Sequence, residues 1–222
     1  KIQMKSNFYI SLLSLIATNS FSQNINWRSL KNEQKHIISL NTGLLYGTTI
    51  DLGYGHKLNT KLPMILNAEF STSFGDTALD DFKTKIGAQA EVLKIGGFST
   101  TLKAYGVFRR FENDNAQLLN FGSELSAVSG YYKSKWYVAG EFGFDKAIVT
   151  HIKHSDVLKN YYPGIKSGWY IPTGGNFFYG VQSGFALGRN DLNLRAGTMA
   201  TQDFNSTPTL PFYFQIGINR KI

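Results

Sequence analysis

One stretch of the chain brings histidine, serine and aspartate together, and it reads H-I-K-H-S-D at residues 151–156. His151 and His154 lie three residues apart, and with Asp156 they offer the nitrogen and oxygen donors that bind a transition metal. The stretch has no H-E-x-x-H pattern, which is the usual mark of a helical zinc site. His154 and Ser155 are also a candidate base and nucleophile for acyl transfer.

A structural interpretation of the same stretch is simpler, and it is the one that we prefer. Ser155 is a residue type that caps helices, and it precedes a short helical pattern at Asp156–Tyr161. A helix cap explains the serine, and a position at the start of a loop explains the histidines, without any catalytic or metal-binding function. The sequence therefore predicts no catalytic residue, no metal site and no cofactor. The only weak catalytic candidates are His151, His154, Ser155 and Asp156.

A second group of residues in the same connection is suited to binding. Trp169 and Tyr170 stand beside Pro172 and a Gly-Gly pair, so they belong to a rigid, turn-rich loop. An exposed aromatic patch of this kind can bind a glycan or a partner protein. The alternative, which we favour, is that both rings fold back over the mouth of a barrel or lie in the outer interface of a membrane.

The elements around this connection show a period of two. In the last stretch, Leu210–Ile222, Phe212, Phe214, Ile216 and Ile218 alternate with polar residues and glycine, which predicts a strand with one apolar face. Similar alternation predicts nine further strands. These are His36–Tyr46, Thr49–Leu58, Leu62–Gly75, Phe82–Lys94, Phe98–Phe111, Gln117–Tyr131, Trp136–Thr150, Asn176–Gly188 and Leu192–Asp203.

These strands predict an all-β, antiparallel, up-and-down transmembrane barrel. They are longer than the five or six residues usual in soluble proteins, and short turns alternate with longer loops. Ten strands are favoured, with a hairpin at Tyr46-Gly47-Thr48 and the last strand paired to His36–Tyr46. Eight strands are the fallback, and a periplasmic β-sandwich or lipocalin-like barrel is the soluble alternative.

Composition narrows the possible function. The 222 residues contain no cysteine, which excludes disulfides, thiolate metal sites and a cysteine nucleophile from them. The formal net charge of +8 fits an anionic membrane surface or a nucleic acid about equally, and balance within the fold is the simpler explanation. We expect no nucleic-acid partner. After the first residues no apolar run approaches the roughly 20 residues of a membrane helix.

The beginning of the chain has the pattern of a secretory signal peptide. Met4-Lys5 is followed by the apolar run Phe8–Ala17 and by small residues, and cleavage is predicted after Ser22. We expect residues 1–22 to be the leader, with residues 1–3 an upstream extension. Residues 23–35 would be a periplasmic lead-in, and residues 36–222 the barrel.

In a barrel, the polar face of each strand points into the lumen, and it carries five acidic and five basic residues. They are Glu69, Glu91, Glu124, Glu141, Asp145, Lys83, Lys85, Lys103, Arg109 and Arg195. An ion-selective pore shows an excess of one sign, whereas a balanced set favours pairing inside a narrow lumen. The sequence therefore predicts a closed, charge-paired lumen.

Taken together, the leader, the alternating strands, the turn lengths and the terminal F-Y-F-Q-I-G-I-N-R-K-I resemble the small outer-membrane β-barrel proteins of Gram-negative bacteria. The chain departs from their usual aromatic ending, since it closes on Arg220-Lys221-Ile222. The resemblance implies a place in the outer membrane and contact with its lipid and lipopolysaccharide. It also implies contact with the barrel-assembly machinery and, in some members, an envelope protein partner. Lys153, Lys159 and Lys166 are candidate contacts for lipopolysaccharide phosphates.

Three functions follow as hypotheses. The preferred one is a non-enzymatic barrel that is structural, adhesive or accessory to an envelope assembly. The second is an outer-leaflet enzyme that uses the 151–156 region. It would resemble lipid A deacylases, whose motif H-x-S-N differs from the H-S-D here, or omptin proteases, with Asp145 beside the His151 region at the rim. The third is a narrow transporter for a small solute.

Overall fold

The computed structural model describes residues 25–74, 79–172, 174–204, 208 and 210–222. The predicted leader lies outside the described residues. The strands are β1 (His36–Leu44), β2 (Thr48–Leu58), β3 (Met64–Ser73), β4 (Asp81–Ile95), β5 (Phe98–Glu112), β6 (Ala116–Tyr132), β7 (Trp136–His154), β8 (Gly168–Tyr170), β9 (Gly175–Leu187), β10 (Asn190–Thr201) and β11 (Phe212–Lys221). One short helix, α1 (Asp156–Tyr161), lies between β7 and β8.

Ten of these strands close into one antiparallel barrel, as the alternation predicted. The order around the barrel is β1, β2, β3, β4, β5, β6, β7, β9, β10 and β11. The last strand pairs with the first, with Leu40 opposite Ile218, so neither strand is left with an open edge. The predicted hairpin between β1 and β2 is confirmed, and its turn occupies Leu45–Gly47.

The two ends of the barrel differ in their connections. At one end, called the turn end, β4 joins β5 through Gly96-Gly97 and β9 joins β10 through Gly188-Arg189. Gly96 and Gly188 have φ angles of 56° and 64°, which a side chain disfavours and a tight hairpin requires. The opposite end, called the loop end, carries α1, β8 and the longer connections.

Side chains alternate between the lumen and the outside, except at β-bulges near Val92 on β4 and near Ile148 on β7. Glu124 and Glu141 are buried inside, while their outward neighbours Leu125 and Phe142 are 58% and 55% exposed. This is the reverse of a soluble protein, in which apolar side chains are buried and charged ones face water. The lumen therefore forms a polar core, and the outer wall presents apolar side chains.

Inward glycines make room for large rings on the neighbouring strands. A Cβ on Gly143 would lie 2.2 Å from the ring of Phe178, and one on Gly197 would lie 2.3 Å from the hydroxyl of Tyr213. Gly143 is opposite Phe178 in the β7–β9 pair, and Gly197 is opposite Tyr213 in the β10–β11 pair, so each buried ring lies over the glycine of the adjacent strand. The glycine content thus serves packing inside a narrow barrel.

Two local expectations were wrong. Strand β7 continues to His154, so residues 151–154 belong to a strand and not to the loop. The strand is long because β6 pairs with it as far as His154, and β8 adds a third strand beside Thr150–Ile152. The second correction concerns Tyr46. The alternation of His36–Tyr46 predicts that it shares the apolar outer face of Ile38 and Leu40, but it lines the lumen. It lies in a turn, where the period of two no longer holds.

Candidate functional site

The turn end of the lumen is covered by the residues that precede β1. This plug segment, residues 25–35, brings Ile25 into contact with the buried side chains of Ile37 and Ile65. Trp27 and Leu30 pack against the same cluster. Burying these groups removes apolar surface from water, which stabilises the covered end.

Hydrogen bonds fix the plug segment to distant strands. The Asn26 amide nitrogen donates to the carbonyl of Lys133 at 2.8 Å, and Asn26 is only 1% exposed. The Trp27 ring nitrogen donates to the Thr101 hydroxyl at 2.9 Å. These contacts join the segment to the β6–β7 turn and to β5, so it crosses the mouth of the barrel.

A buried ion pair lies beneath the plug segment. The Lys221 ammonium is 2.7 Å from an Asp191 carboxylate oxygen, and the two side chains are 1% and 2% exposed. Lys221 also donates to the Ser29 hydroxyl at 2.9 Å, and that hydroxyl donates to Asp191 at 3.1 Å. Lys221, at the end of β11, therefore holds the plug segment to β10 and β11.

In the middle of the lumen, Glu141 accepts hydrogen bonds from three other strands. Arg195 donates to it at 2.6 Å and Tyr213 at 2.5 Å, and Gln182 donates to its second oxygen. Arg195 also donates to Gln215 at 3.1 Å. Charge-assisted bonds of this kind are the stronger ones in proteins, and here they draw β7, β9, β10 and β11 together.

A second group of paired charges lies on the opposite wall. The Lys85 ammonium is 2.7 Å from Glu124 and 3.9 Å from Glu69, and Lys83 is 3.7 Å from Glu124. These four residues come from β3, β4 and β6. Pairing offsets much of the cost of burying each charge away from bulk water.

Arg109 is held near the loop end by an acid that sequence analysis did not include. It donates twice to Asp81, at 2.8 and 2.7 Å, and its guanidinium lies 4.3 Å from the ring centre of Tyr46. The Tyr46 hydroxyl is 2.8 Å from the hydroxyl of Ser71. Burial raises the pKa of Tyr46 to about 12, so the ring stays neutral beside Arg109.

The remaining predicted lumen charges are more dispersed. Glu91 is buried near the turn end and accepts from the Ser99 hydroxyl at 2.5 Å. Lys103 and Asp145 both line the open part of the lumen. One carboxylate oxygen of Asp145 is enclosed and has no hydrogen-bond partner among the described residues. All ten predicted charges therefore lie on the inward face, but they do not form a single network.

The loop-end half of the lumen contains a cavity of about 190 Å³. Its lining extends from Glu141 and Asn193 in mid-barrel to Tyr46 and Met199 near the loop end. Nine of the ten predicted charges line it, together with Asp51. The charged lining residues are Asp51, Glu69, Glu124, Glu141, Asp145, Lys83, Lys85, Lys103, Arg109 and Arg195.

The candidate catalytic residues at 151–156 are engaged in other contacts. The His151 ring packs edge-on against Trp169, with ring centres 4.9 Å apart. The Ser155 hydroxyl accepts from the Leu158 backbone nitrogen at 3.2 Å, which confirms it as the cap of α1. Because Ser155 caps α1 and the His151 ring packs against Trp169, these two residues do not form a pair of nucleophile and general base in this arrangement.

His154 and Asp156 are no closer to forming a site. Asp156 pairs with Lys159 at 3.2 Å on the surface of α1. The His154 backbone nitrogen donates to the Ser167 hydroxyl at 3.0 Å. In the described part of the chain, no group of three or more histidine, aspartate or glutamate side chains is placed to hold a metal ion.

Trp169 and Tyr170, the predicted surface contacts, are 62% and 43% exposed on β8. Trp169 continues a row of aromatic rings around the outer wall at the loop end, with successive ring centres 5.0–6.1 Å apart. This loop-end belt consists of Phe70, Phe82, Phe108, Phe121 and Trp169. A turn-end belt is formed by Phe98, Tyr131 and Trp136.

Four inward charges were missing from the predicted set, namely Asp51, Asp81, Asp191 and Lys221. Each has the parity of an inward position, because Asp81 alternates with Lys83 and Lys221 with Asn219. Extending the count to the strand ends would have found them. The role of Ser29 had no such signal, because it lies before the first alternating strand.

In comparisons with known proteins, no family model matches the chain, and no curated protein is similar to it in sequence. Within the residues that the structure describes, no helix is long and apolar enough to cross a membrane. Function must therefore be inferred from the barrel itself.

Proposed function

We propose that this chain is an integral β-barrel protein of the outer membrane of a Gram-negative cell. In this proposal it is not an enzyme, and it serves as a structural, adhesive or accessory component of the envelope. The observation that carries the proposal is the reversed polarity of the closed barrel, with charges inside and apolar side chains outside.

The outer wall supports a bilayer environment. Ile86, Val138 and Ile148 are 67%, 53% and 57% exposed on β4 and β7. A continuous exposed apolar wall would cause aggregation in water, but it is the surface that hydrocarbon requires. Closure of the barrel satisfies the backbone hydrogen bonds of every wall strand, which hydrocarbon also requires.

The two aromatic belts have the spacing of a membrane. Phe98 and Phe108 lie ten residues apart on β5, and Tyr131 and Phe121 lie ten residues apart on β6. Ten residues span roughly 33 Å along a strand. With the usual strand tilt of about 40°, the belts are separated by about 25 Å, the height of the apolar band in outer-membrane barrels.

A closed lumen completes the proposal. The plug segment covers the turn end, and the ion pairs of Glu141 with Arg195 and of Lys85 with Glu124 fill the middle. Tyr137 and Tyr213 also occupy the lumen, where they reach over neighbouring strands to donate to Asn193 and Glu141. We therefore expect the intact protein to form no steady ion channel in planar bilayers, in contrast to a small-solute transporter.

Membrane location is tested by expression of the full chain, fractionation and a heat-modifiable gel shift. The expected result is a protein in the outer-membrane fraction that migrates differently before and after boiling. Leu125→Lys, between the belts, should reduce insertion, because lysine at the bilayer midplane costs about 2–4 kcal/mol.

The matched control for this variant is Val157→Lys. Val157 is exposed on α1, outside the belts, and the change should leave insertion unaltered. A soluble protein without a gel shift would disprove the proposal, as would equal insertion of the Leu125→Lys variant and the wild type.

A further inference from the structure

The cavity in the loop-end half of the lumen is lined by two carboxylates that lack a cation. Among the described residues, no lysine or arginine nitrogen lies within 4.0 Å of Asp51 or Asp145. Asp51 accepts from Gln215 at 2.7 Å, which is a neutral donor. Asp145 leaves one enclosed oxygen with no partner.

The two carboxylates face each other across the cavity. Asp51 lies on β2 and Asp145 on β7, and these strands are five steps apart in either direction around the barrel. Both residues line the same space. A cationic group that enters from the loop end could therefore lie between these two carboxylates.

Several of the cations that line the cavity are already committed. Lys85 is paired with Glu124 and Arg195 with Glu141. Arg109 is paired with Asp81, which lies outside the cavity lining. The lining contains five acids and five bases, and because Arg109 is neutralised by an acid from elsewhere, the other nine groups carry one formal negative charge.

Tyr105 gives a second and independent sign of a ligand. Its side chain is 5% exposed and lines the cavity from β5. Its hydroxyl lies beside the Glu69 carboxylate but forms no hydrogen bond of good geometry with the described residues. A buried hydroxyl normally has a partner, so this one is suited to a polar group that occupies the cavity.

We propose that this cavity binds a small aliphatic amine in its ammonium form, with Asp51 and Asp145 as counter-charges and Tyr105 as a hydrogen-bond partner. The volume of about 190 Å³ admits a molecule of several heavy atoms but no polymer. The ligand would enter and leave only at the loop end, because the plug segment covers the turn end. This function goes beyond the structural role proposed above.

The test is isothermal titration calorimetry on the full chain, folded in detergent micelles, with putrescine as the probe. Butanediol has a similar length without charge, and succinate has the opposite charge. Putrescine should give a saturable heat of binding, while butanediol and succinate should give none. Absence of putrescine binding, or tighter binding of succinate, would overturn the proposal.

Variants locate the site within the lumen. Asp145→Asn and Asp51→Asn should each weaken putrescine binding about tenfold, the scale of one charge-assisted hydrogen bond. Glu91→Gln is the matched control, because Glu91 is buried in the same lumen but does not line the cavity. It should bind putrescine as the wild type does.

Tyr105→Phe should weaken binding severalfold and leave its selectivity for amines unchanged. The heat-modifiable gel shift shows separately whether each variant is folded, so a failure of the site is distinguished from a failure of the barrel. Equal binding by the wild type and by folded Asp145→Asn would place the amine elsewhere and disprove this site.

Discussion

The two halves of the lumen differ in how completely their buried charged groups are paired. In the turn-end half, Lys221 and Asp191 are almost completely buried, and each meets the other and Ser29. In the loop-end half, Asp145 keeps an oxygen without a partner beside an open cavity. The same alternating strands build both halves, so alternation alone does not determine whether a charge is paired.

The difference comes from what enters the lumen. At the turn end the plug segment supplies a hydroxyl, a ring nitrogen and an amide to the barrel interior, from Ser29, Trp27 and Asn26. At the loop end, none of the described connections fills the cavity in this way. Polar groups in ligand-binding sites commonly have fewer partners within the protein than polar groups in structural sites. They therefore contribute less to the stability of the fold.

The largest effect should come from breaking the buried pair of the turn end. Asp191→Asn leaves the Lys221 ammonium buried without a negative partner, which should cost about 3–5 kcal/mol in the free energy of unfolding. Urea unfolding of the barrel in lipid vesicles measures this loss. The double variant with Lys221→Met should recover much of it, because it removes the isolated charge.

A control for this variant is the exposed pair of Asp156 and Lys159 on α1. Asp156 is 94% exposed, so Asp156→Asn should leave the free energy of unfolding essentially unchanged. If Asp191→Asn were as mild as Asp156→Asn, the turn-end pair would not be the structural contact that its burial indicates.

Trp27→Ala should have the next largest effect, about 2–3 kcal/mol. The variant loses the hydrogen bond to Thr101 and the packing against Ile25, Ile37 and Ile65. Trp27→Phe, which keeps most of the packing, should cost only about 1 kcal/mol. Equal unfolding curves for wild type and Trp27→Ala would show that the plug segment does not stabilise the turn end.

At the loop end, Tyr46→Phe should cost about 1 kcal/mol, because it removes the hydrogen bond to Ser71 and keeps the ring beside Arg109. Burial raises the pKa of Tyr46 from 10.0 to about 12, so the folded protein holds this proton more tightly than the unfolded chain. The stability of wild type minus that of the variant should be constant below about pH 10. It should fall between about pH 10 and pH 12 and change sign, because the linked loss of about 2–3 kcal/mol exceeds the gain from the hydrogen bond. A difference that grew over this range would contradict the assignment.

The barrel was largely predictable from sequence because its signals are local. Alternation gives the face of each residue, and turn residues give the hairpins, so the ten strands and the pairing of β1 with β11 followed from neighbouring residues. The face of Tyr46 was predicted wrongly because residues in a turn do not follow a period of two. The end of β7 was predicted too early because β8, after an intervening helix, pairs with the end of that strand.

The partners of each charge were not predictable in the same way. Lys85 and Glu124 are separated by 39 residues, and Asn26 and Lys133 by 107. Such contacts depend on the register of several strands, and a shift of two residues in one strand preserves the alternation while changing every pair. Sequence therefore indicates which charges face the lumen but not which of them remain unpaired.

Asp145→Asn should have the smallest effect on stability and thus sharpens the contrast with Asp191→Asn. Removing a carboxylate that has no cation within 4.0 Å breaks no ion pair, and the asparagine fits the same space. The free energy of unfolding should change by less than about 0.5 kcal/mol or rise slightly. Urea unfolding without added amine measures this, and a loss comparable with that of Asp191→Asn would show that Asp145 is a structural group. If the variant is stable but binds putrescine weakly, Asp145 serves ligand binding in the loop-end half, whereas Asp191 serves stability in the turn-end half.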